Sequence, residues 1–130
     1  MASDAVPRVG CIAWLDLTVS DAAATCDFYR QVIGWDVQEV AMEDPNGPYA
    51  DYNMLGADGV PAAGICHARG VNVGLPPAWM IYLPVGDLAE SVRRVREEGG
   101  RVLKESGGTG GYAYAIIQDP VGATMALVPG

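Results

Sequence analysis

Apolar and polar residues alternate along Trp14-Leu15-Asp16-Leu17-Thr18-Val19, the mark of a strand, because successive side chains on a strand point to opposite faces. Asp21 follows in the position of a helix N-cap, with a short carboxylate that can accept from the unpaired amides of the first turn. Beyond it Ala22, Cys26, Tyr29, Val32 and Ile33 recur at spacings of three and four, which predicts a helix with one buried face, and Gly34 can end it in a left-handed cap. A short β-rich run from Trp35 to Val40 comes next. After it stand a Gly/Pro-rich turn and two more strand patterns, with a hairpin signal at Asp58-Gly59.

The same order of signals returns later in the chain. Met80-Ile81-Tyr82-Leu83-Pro84-Val85-Gly86-Asp87 repeats the first strand and cap at an offset of 66 residues, and Glu90 adds a capping-box partner. Leu88, Val92 and Val95 have helical spacing, Gly99-Gly100 closes that helix, and Arg101 to Lys104 is β-rich. Tyr112 to Gly122 then lies over Tyr49 to Gly59 at an offset of 63, with Asp119 to Gly122 as the turn. The predicted class is therefore α+β, a single domain over 1–130 written as β-α-β-β-β twice. The first module covers about 9–69, a Gly/Pro-marked linker 70–77, and the second module about 78–128. A unit of roughly 55–60 residues buries little by itself, so the two modules are expected to pair.

Composition then limits the function. The 130 residues carry 16 acids and 8 bases, a net charge of −8, which lacks the basic footprint of a nucleic-acid binder. Half the residues are hydrophobic, enough for a core. No apolar run approaches the roughly 20 residues of a membrane span, and Met1 to Gly10 has no signal-peptide pattern, so a cytoplasmic protein is expected. Cys11, Cys26 and Cys66 are odd in number and scattered, which favours reduced thiols over disulfides or a structural zinc site. Residues 1–75 hold 10 acids and 3 bases, while residues 76–130 hold 6 and 5, so nearly all the excess charge belongs to the first module. On the second helix, Glu90/Arg94, Arg93/Glu97 and Arg94/Glu98 are spaced to pair on a solvated face.

The strand-to-helix motif ending in Asp21, the helix end Phe28-Tyr29-Arg30-Gln31-Val32-Ile33-Gly34-Trp35, the Asp87 counterpart and the terminal Asp119-Pro120-Val121-Gly122-Ala123-Thr124-Met125-Ala126-Leu127 give the chain a family resemblance. From about Val9 to Val128 it resembles the vicinal oxygen chelate superfamily, the glyoxalase, bleomycin-resistance and extradiol-dioxygenase group. That resemblance implies an eight-stranded, cup-shaped mixed sheet with helices outside and a ligand cavity inside. It also implies a homodimer. In metal-dependent members the ligands are His, Glu or Gln, and the corresponding positions here are Trp14, Ala63, Met80 and Ala126. An indole, a thioether and two methyl groups offer no donor to a hard or borderline divalent ion, so no metal and no other cofactor is expected.

If position 14 faces the cup, alternation places Ile12 and Asp16 there too, and in the second module Ala78, Met80 and Tyr82, with Thr124, Ala126 and Val128 on the last strand. On the third strand Tyr49, Asp51 and Asn53 share one face and Tyr52 and Met54 the other; with a bulge open at Gly56, Tyr52 and Met54 are the expected inward pair. The expected ligand-binding residues are thus Trp14, Asp16, Tyr52, Met54, Met80 and Tyr82, a wall suited to a planar or amphipathic organic molecule. The alternative is a cup filled by its own side chains. Asp16 could pair with a ligand cation or act as a base, and His67 could transfer protons or sit at a strand end. Ser106 to Gly111 reads as a loop at the cavity rim rather than a phosphate loop, since no helix or Lys-Ser/Thr follows.

Two function classes follow. One is a metal-independent binding protein of the bleomycin-resistance type that sequesters an aromatic or cationic small molecule. The other is a glyoxalase-like lyase or isomerase that moves protons without the family's metal, although no acid–base pair at a fixed spacing identifies its catalytic residues.

Overall fold

The computed structural model describes residues 8–106 and 113–130. Gly107 to Gly111 of the expected rim loop, Tyr112 of the repeat and residues 1–7 lie outside the described residues. Eight strands and two helices are found among those described: β1 Trp14–Val19, α1 Ala22–Ile33, β2 Asp36–Asp44, β3 Gly47–Leu55, β4 Pro61–His67, β5 Trp79–Val85, α2 Leu88–Glu97, β6 Arg101–Ser106, β7 Tyr114–Gln118 and β8 Thr124–Pro129. The class is α+β. The chain divides into two compact units, one of residues 15–79 and one of residues 8–14 with 80–130.

In the first unit the strand order is β2-β3-β4-β1. β2 with β3 and β3 with β4 are antiparallel, whereas β1 runs parallel to β4. Parallel neighbours need a crossover, and α1 begins it. Asp21 caps α1 by accepting from Ala24 N at 3.0 Å, and Gly34, at φ 86°, ends it with its amide on Arg30 O at 2.9 Å. That left-handed turn is open to glycine at little cost. The two-residue turn Pro45-Asn46 joins β2 to β3, with Asn46 N bonded to the Asp44 carboxylate. A 3-10 turn, Gly70–Asn72, follows β4 inside the stretch read as a linker.

The second unit has the order β5-β8-β7-β6, with β5 parallel to β8 and the other pairs antiparallel. Asp87 caps α2 through Glu90 N at 3.1 Å. Glu90–Arg94 and Arg93–Glu97 pair as spaced, while Arg93 also reaches Glu90 and Arg94 is turned to Glu90 rather than Glu98. After the helix the chain passes so close to β7 that a Cβ on Gly100 would sit 2.8 Å from Gln118 O. Residues ahead of β1 also belong to this unit, since Gly10 N donates to Pro84 O and Ala13 N to Tyr82 O.

Each unit buries one sheet face under its own helix. In the first, Leu17, Ala22, Cys26, Met54 and Ile65 form the core, with Val19, Tyr29, Trp35, Tyr52 and Trp79 packed against it. In the second, Val92, Ala115, Ile117 and Leu127 do so, with Leu83, Val85 and Val95 around them. The assignment of Tyr52 and Met54 to the inward face is therefore corrected. Both pack beneath α1, and Met54 is wholly inaccessible, with its sulfur 3.9 Å from the Cys26 thiol. The bulge does occur, between Met54 and Leu55, but pairing of Tyr52 with Ile65 and Met54 with Ala63 keeps both residues on the α1 side.

Candidate functional site

The face of the first unit turned away from α1 follows from register. Asp16 pairs with Gly64 and Thr18 with Cys66, opposite in parity to Leu17 and Ile65, which pack under the helix. Asn53 pairs with Gly64, so Asn53, Asp51 and Tyr49 share that face. Ala63 is in register with the buried Met54 and so lies on the α1 side, which corrects its placement on the same face as Trp14. Its neighbour Gly64, beside Asp16, has no donor either. The residues at the positions implied for a metal, Trp14, Ala63, Met80 and Ala126, do not fit one. Among the described residues no group of three or more His, Cys, Asp or Glu is gathered to hold an ion.

Polar side chains converge instead at the ends of β3 and β4. Asp51 is 4% exposed and accepts from His67 N at 2.8 Å. Burial first, then the carboxylates of Asp16 and Asp51, push the Cys66 thiol far above its ordinary pKa, so it stays protonated and is no nucleophile. Nδ1 of His67 lies 3.0 Å from Ala50 O and 3.4 Å from Asp51 Oδ1. A carbonyl oxygen can only accept, so Nδ1 carries the proton in the neutral ring. Tyr49 meets the imidazole edge-on, with centroids 5.8 Å apart, and Tyr52 lies 6.2 Å away.

Arg69 completes the cluster. Its guanidinium forms two 2.9 Å bonds to Asp44 and lies 4.0 Å over the ring of Tyr49. Those bonds hold the Asp44 carboxyl below the usual carboxylate range. Burial, reinforced by Asp51 and Asp44, raises the Tyr49 phenol. The cationic charge of Arg69 is thus committed to Asp44.

A second feature of the first unit is an open depression of about 400 Å³ beside α1, lined in part by Leu17, Phe28, Tyr29 and Trp79. Trp79 Nε1 donates to the Tyr29 hydroxyl at 3.1 Å, and the Tyr29, Trp35 and Trp79 rings lie 5.4–6.2 Å apart. Sequence reasoning missed Trp79. Its signal was parity: one residue before Met80, it has the helix-facing parity of Ile81 and Leu83.

In the second unit Tyr82 pairs with Ala126, opposite in parity to Leu83 and Leu127, which pack under α2. Met80, Tyr82, Thr124 and Ala126 therefore share the face away from that helix. Met80 and Ala126 are buried there, while Tyr82 and Trp14 are half-buried. The six expected ligand-binding residues thus separate: Trp14, Met80 and Tyr82 belong to the second unit, Asp16 lies on the polar face of the first, and Tyr52 and Met54 lie beneath α1.

Known proteins share this chain's sequence pattern and fold. The sequence is 30% identical over 122 residues to the "Putative glyoxylase CFP32" of Mycobacterium tuberculosis (strain CDC 1551 / Oshkosh), a match over 92% of this chain and 46% of that one. It is 28% identical over 131 residues to the "Anthracycline biosynthesis protein DnrV" of Streptomyces peucetius, with 91% and 46% covered. The chain spans about half the length of the curated relatives it matches. Its fold is similar to a Streptomyces coelicolor methylmalonyl-CoA epimerase variant solved with 2-nitronate-propionyl-CoA, at TM-score 0.55 and 20% identity over 95% of this chain and 96% of that one. It is also similar to a superfamily member from Vibrio splendidus 12B01, at TM-score 0.52 and 17% identity over 88% and 94%. The profile of one family matches residues 11–127, nearly the whole chain, and the protein belongs to that family, the glyoxalase/bleomycin resistance protein/dioxygenase superfamily.

Proposed function

We propose that this protein is a metal-independent small-molecule binding protein of the glyoxalase/bleomycin-resistance type, with an aromatic or cationic organic ligand. One observation carries the reading: Trp14, Met80 and Ala126, at positions where the resemblance implies donors, and Gly64, which takes the place beside Asp16 expected of Ala63, carry no side chain that could hold a divalent ion. Chemistry that relies on a divalent ion as electrophile has no ligand set here. Trp14 and Tyr82, both half-buried, supply the stacking surface, and buried Met80 backs it. The Streptomyces peucetius relative is named for anthracycline biosynthesis, which supports a polycyclic aromatic ligand class.

Titration with planar aromatic cations, followed by tryptophan fluorescence in the wild type and in Trp14→Phe, tests the reading. A saturable change that Trp14→Phe weakens is expected. Stoichiometric bound zinc or nickel, or no saturable response, would overturn it.

The glyoxalase-like lyase or isomerase is the second reading, favoured by the glyoxylase relative and the epimerase folds. Turnover of a methylglyoxal–glutathione adduct by metal-free protein would select it. The proposal also places the protein in the cytoplasm as a homodimer; light scattering that finds only monomer mass would remove the dimer.

A further inference from the structure

The geometry points to His67 as a proton-accepting site for a neutral ligand bearing an acidic hydroxyl, of the phenol or enol class. Both polar contacts of the imidazole are made at Nδ1, to Ala50 O and Asp51 Oδ1. No buried side-chain nitrogen or oxygen lacks a partner among the described residues, and the His67 side chain keeps 19% of its exposure, so Nε2 is the ring nitrogen that reaches solvent. With Nδ1 fixed as donor, Nε2 carries the lone pair of the neutral ring, and the Tyr49 and Tyr52 rings lie 5.8 and 6.2 Å from the imidazole. A base oriented through its other nitrogen is the arrangement that proton transfer needs.

The ligand class follows from what else faces the ring. Those groups are Asp51, Tyr49 and Tyr52 from β3, the Cys66 thiol beside Asp51, and Arg69, already bonded to Asp44. Among these described groups no uncommitted cation waits for an anion, and residues 1–75 carry an excess of seven acids, so a ligand that is already ionised is repelled. A neutral hydroxyl is admitted and then gives up its proton. The ligand O–H bond breaks, an Nε2–H bond forms, and the electron pair stays on the ligand oxygen. Asp51, 3.4 Å from Nδ1, then faces the imidazolium as its counter-charge. This site is independent of the Trp14 reading.

The probe is 4-nitrophenol, whose phenolate absorbs visibly. One pH unit below its own ionisation only about a tenth of the free probe is ionised. Expected is a saturable phenolate band with wild type and with Val121→Ser, a change at a 91% exposed position, and its loss in His67→Gln. His67 is the only histidine, so its imidazole nitrogen resonances need no further assignment. They are expected to show the Nδ1–H tautomer in the free protein and an added proton on Nε2 when 4-nitrophenol binds. If His67→Gln fails to fold, those wild-type spectra decide. Binding without a phenolate band, no saturable binding, a band that survives in His67→Gln, or an Nε2–H tautomer in the free protein would each overturn the proposal.

Discussion

Met54 tests the placement of β3 most directly, because alternation admits it to either face and the two faces give opposite results. In the structure its side chain is inaccessible and lies among Leu17, Cys26 and Ile65. Met54→Ala removes three heavy-atom groups, which at roughly 0.8 kcal/mol each costs about 2.4 kcal/mol of transfer free energy. The space left behind closes poorly, because the register partner is already Ala63 and the neighbours are held on paired strands. That adds about 1–2 kcal/mol and brings the total to about 3.5–4.5 kcal/mol, inside the usual range for such truncations. For a chain of this length the melting temperature should fall by roughly 10–15 °C. Met54→Leu, which conserves volume, should lose less than about 1.5 kcal/mol. Urea denaturation followed by circular dichroism measures both. A loss below about 1 kcal/mol for Met54→Ala, together with altered affinity for aromatic ligands, would refute the packing beneath α1.

Three further outcomes are expected. Asp21→Ala removes the acceptor for Ala24 N and should cost about 1 kcal/mol in the same assay, with Asp21→Asn close to wild type. Gly100→Ala would bring a Cβ to 2.8 Å from Gln118 O and 3.1 Å from Val95 O; the strands or the helix end must shift, at about 1–3 kcal/mol, seen as a lowered urea midpoint. Stability should fall at alkaline pH: the Cys66 thiol and the Tyr49 and Tyr52 phenols are raised above 9.0, 10.0 and 10.0, so the folded state binds more protons than the unfolded one there. The stabilisation is complete below about pH 9 and is lost as pH rises through the folded values. Urea midpoints from pH 8 to 11 check it, and Cys66→Ala should flatten the first part of the decline.

What was legible and what was not divide by the distance over which the cause acts. Asp21, Gly34 and Asp87 punctuate the helices through bonds to residues three or four positions away, while α2 ends with Glu98 N on Arg94 O and Gly100 N on Val95 O around the left-handed Gly99. The faces of β1, β5 and β8 also followed from alternation, because Leu17, Leu83 and Leu127 each have a helix beside them. Beyond these strands alternation names two faces and does not choose between them. On β3 the choice was made by pairing with β4, and it went against the inward reading of Tyr52 and Met54. Ala63 followed the same register away from the face of Asp16.

The sequence alone determined the repeated β-α-β-β-β order and the helix ends, since each depends on residue identity and short spacings. Tertiary structure alone decided which side chains meet. Trp79 reaches Tyr29 across 50 residues, Arg69 reaches Asp44 across 25, and the Asp51 carboxylate reaches His67 N across 16. Those encounters depend on strand register. A shift of one residue reverses every side chain on a strand, and the pairing that excludes the shift is set by partners remote in the chain.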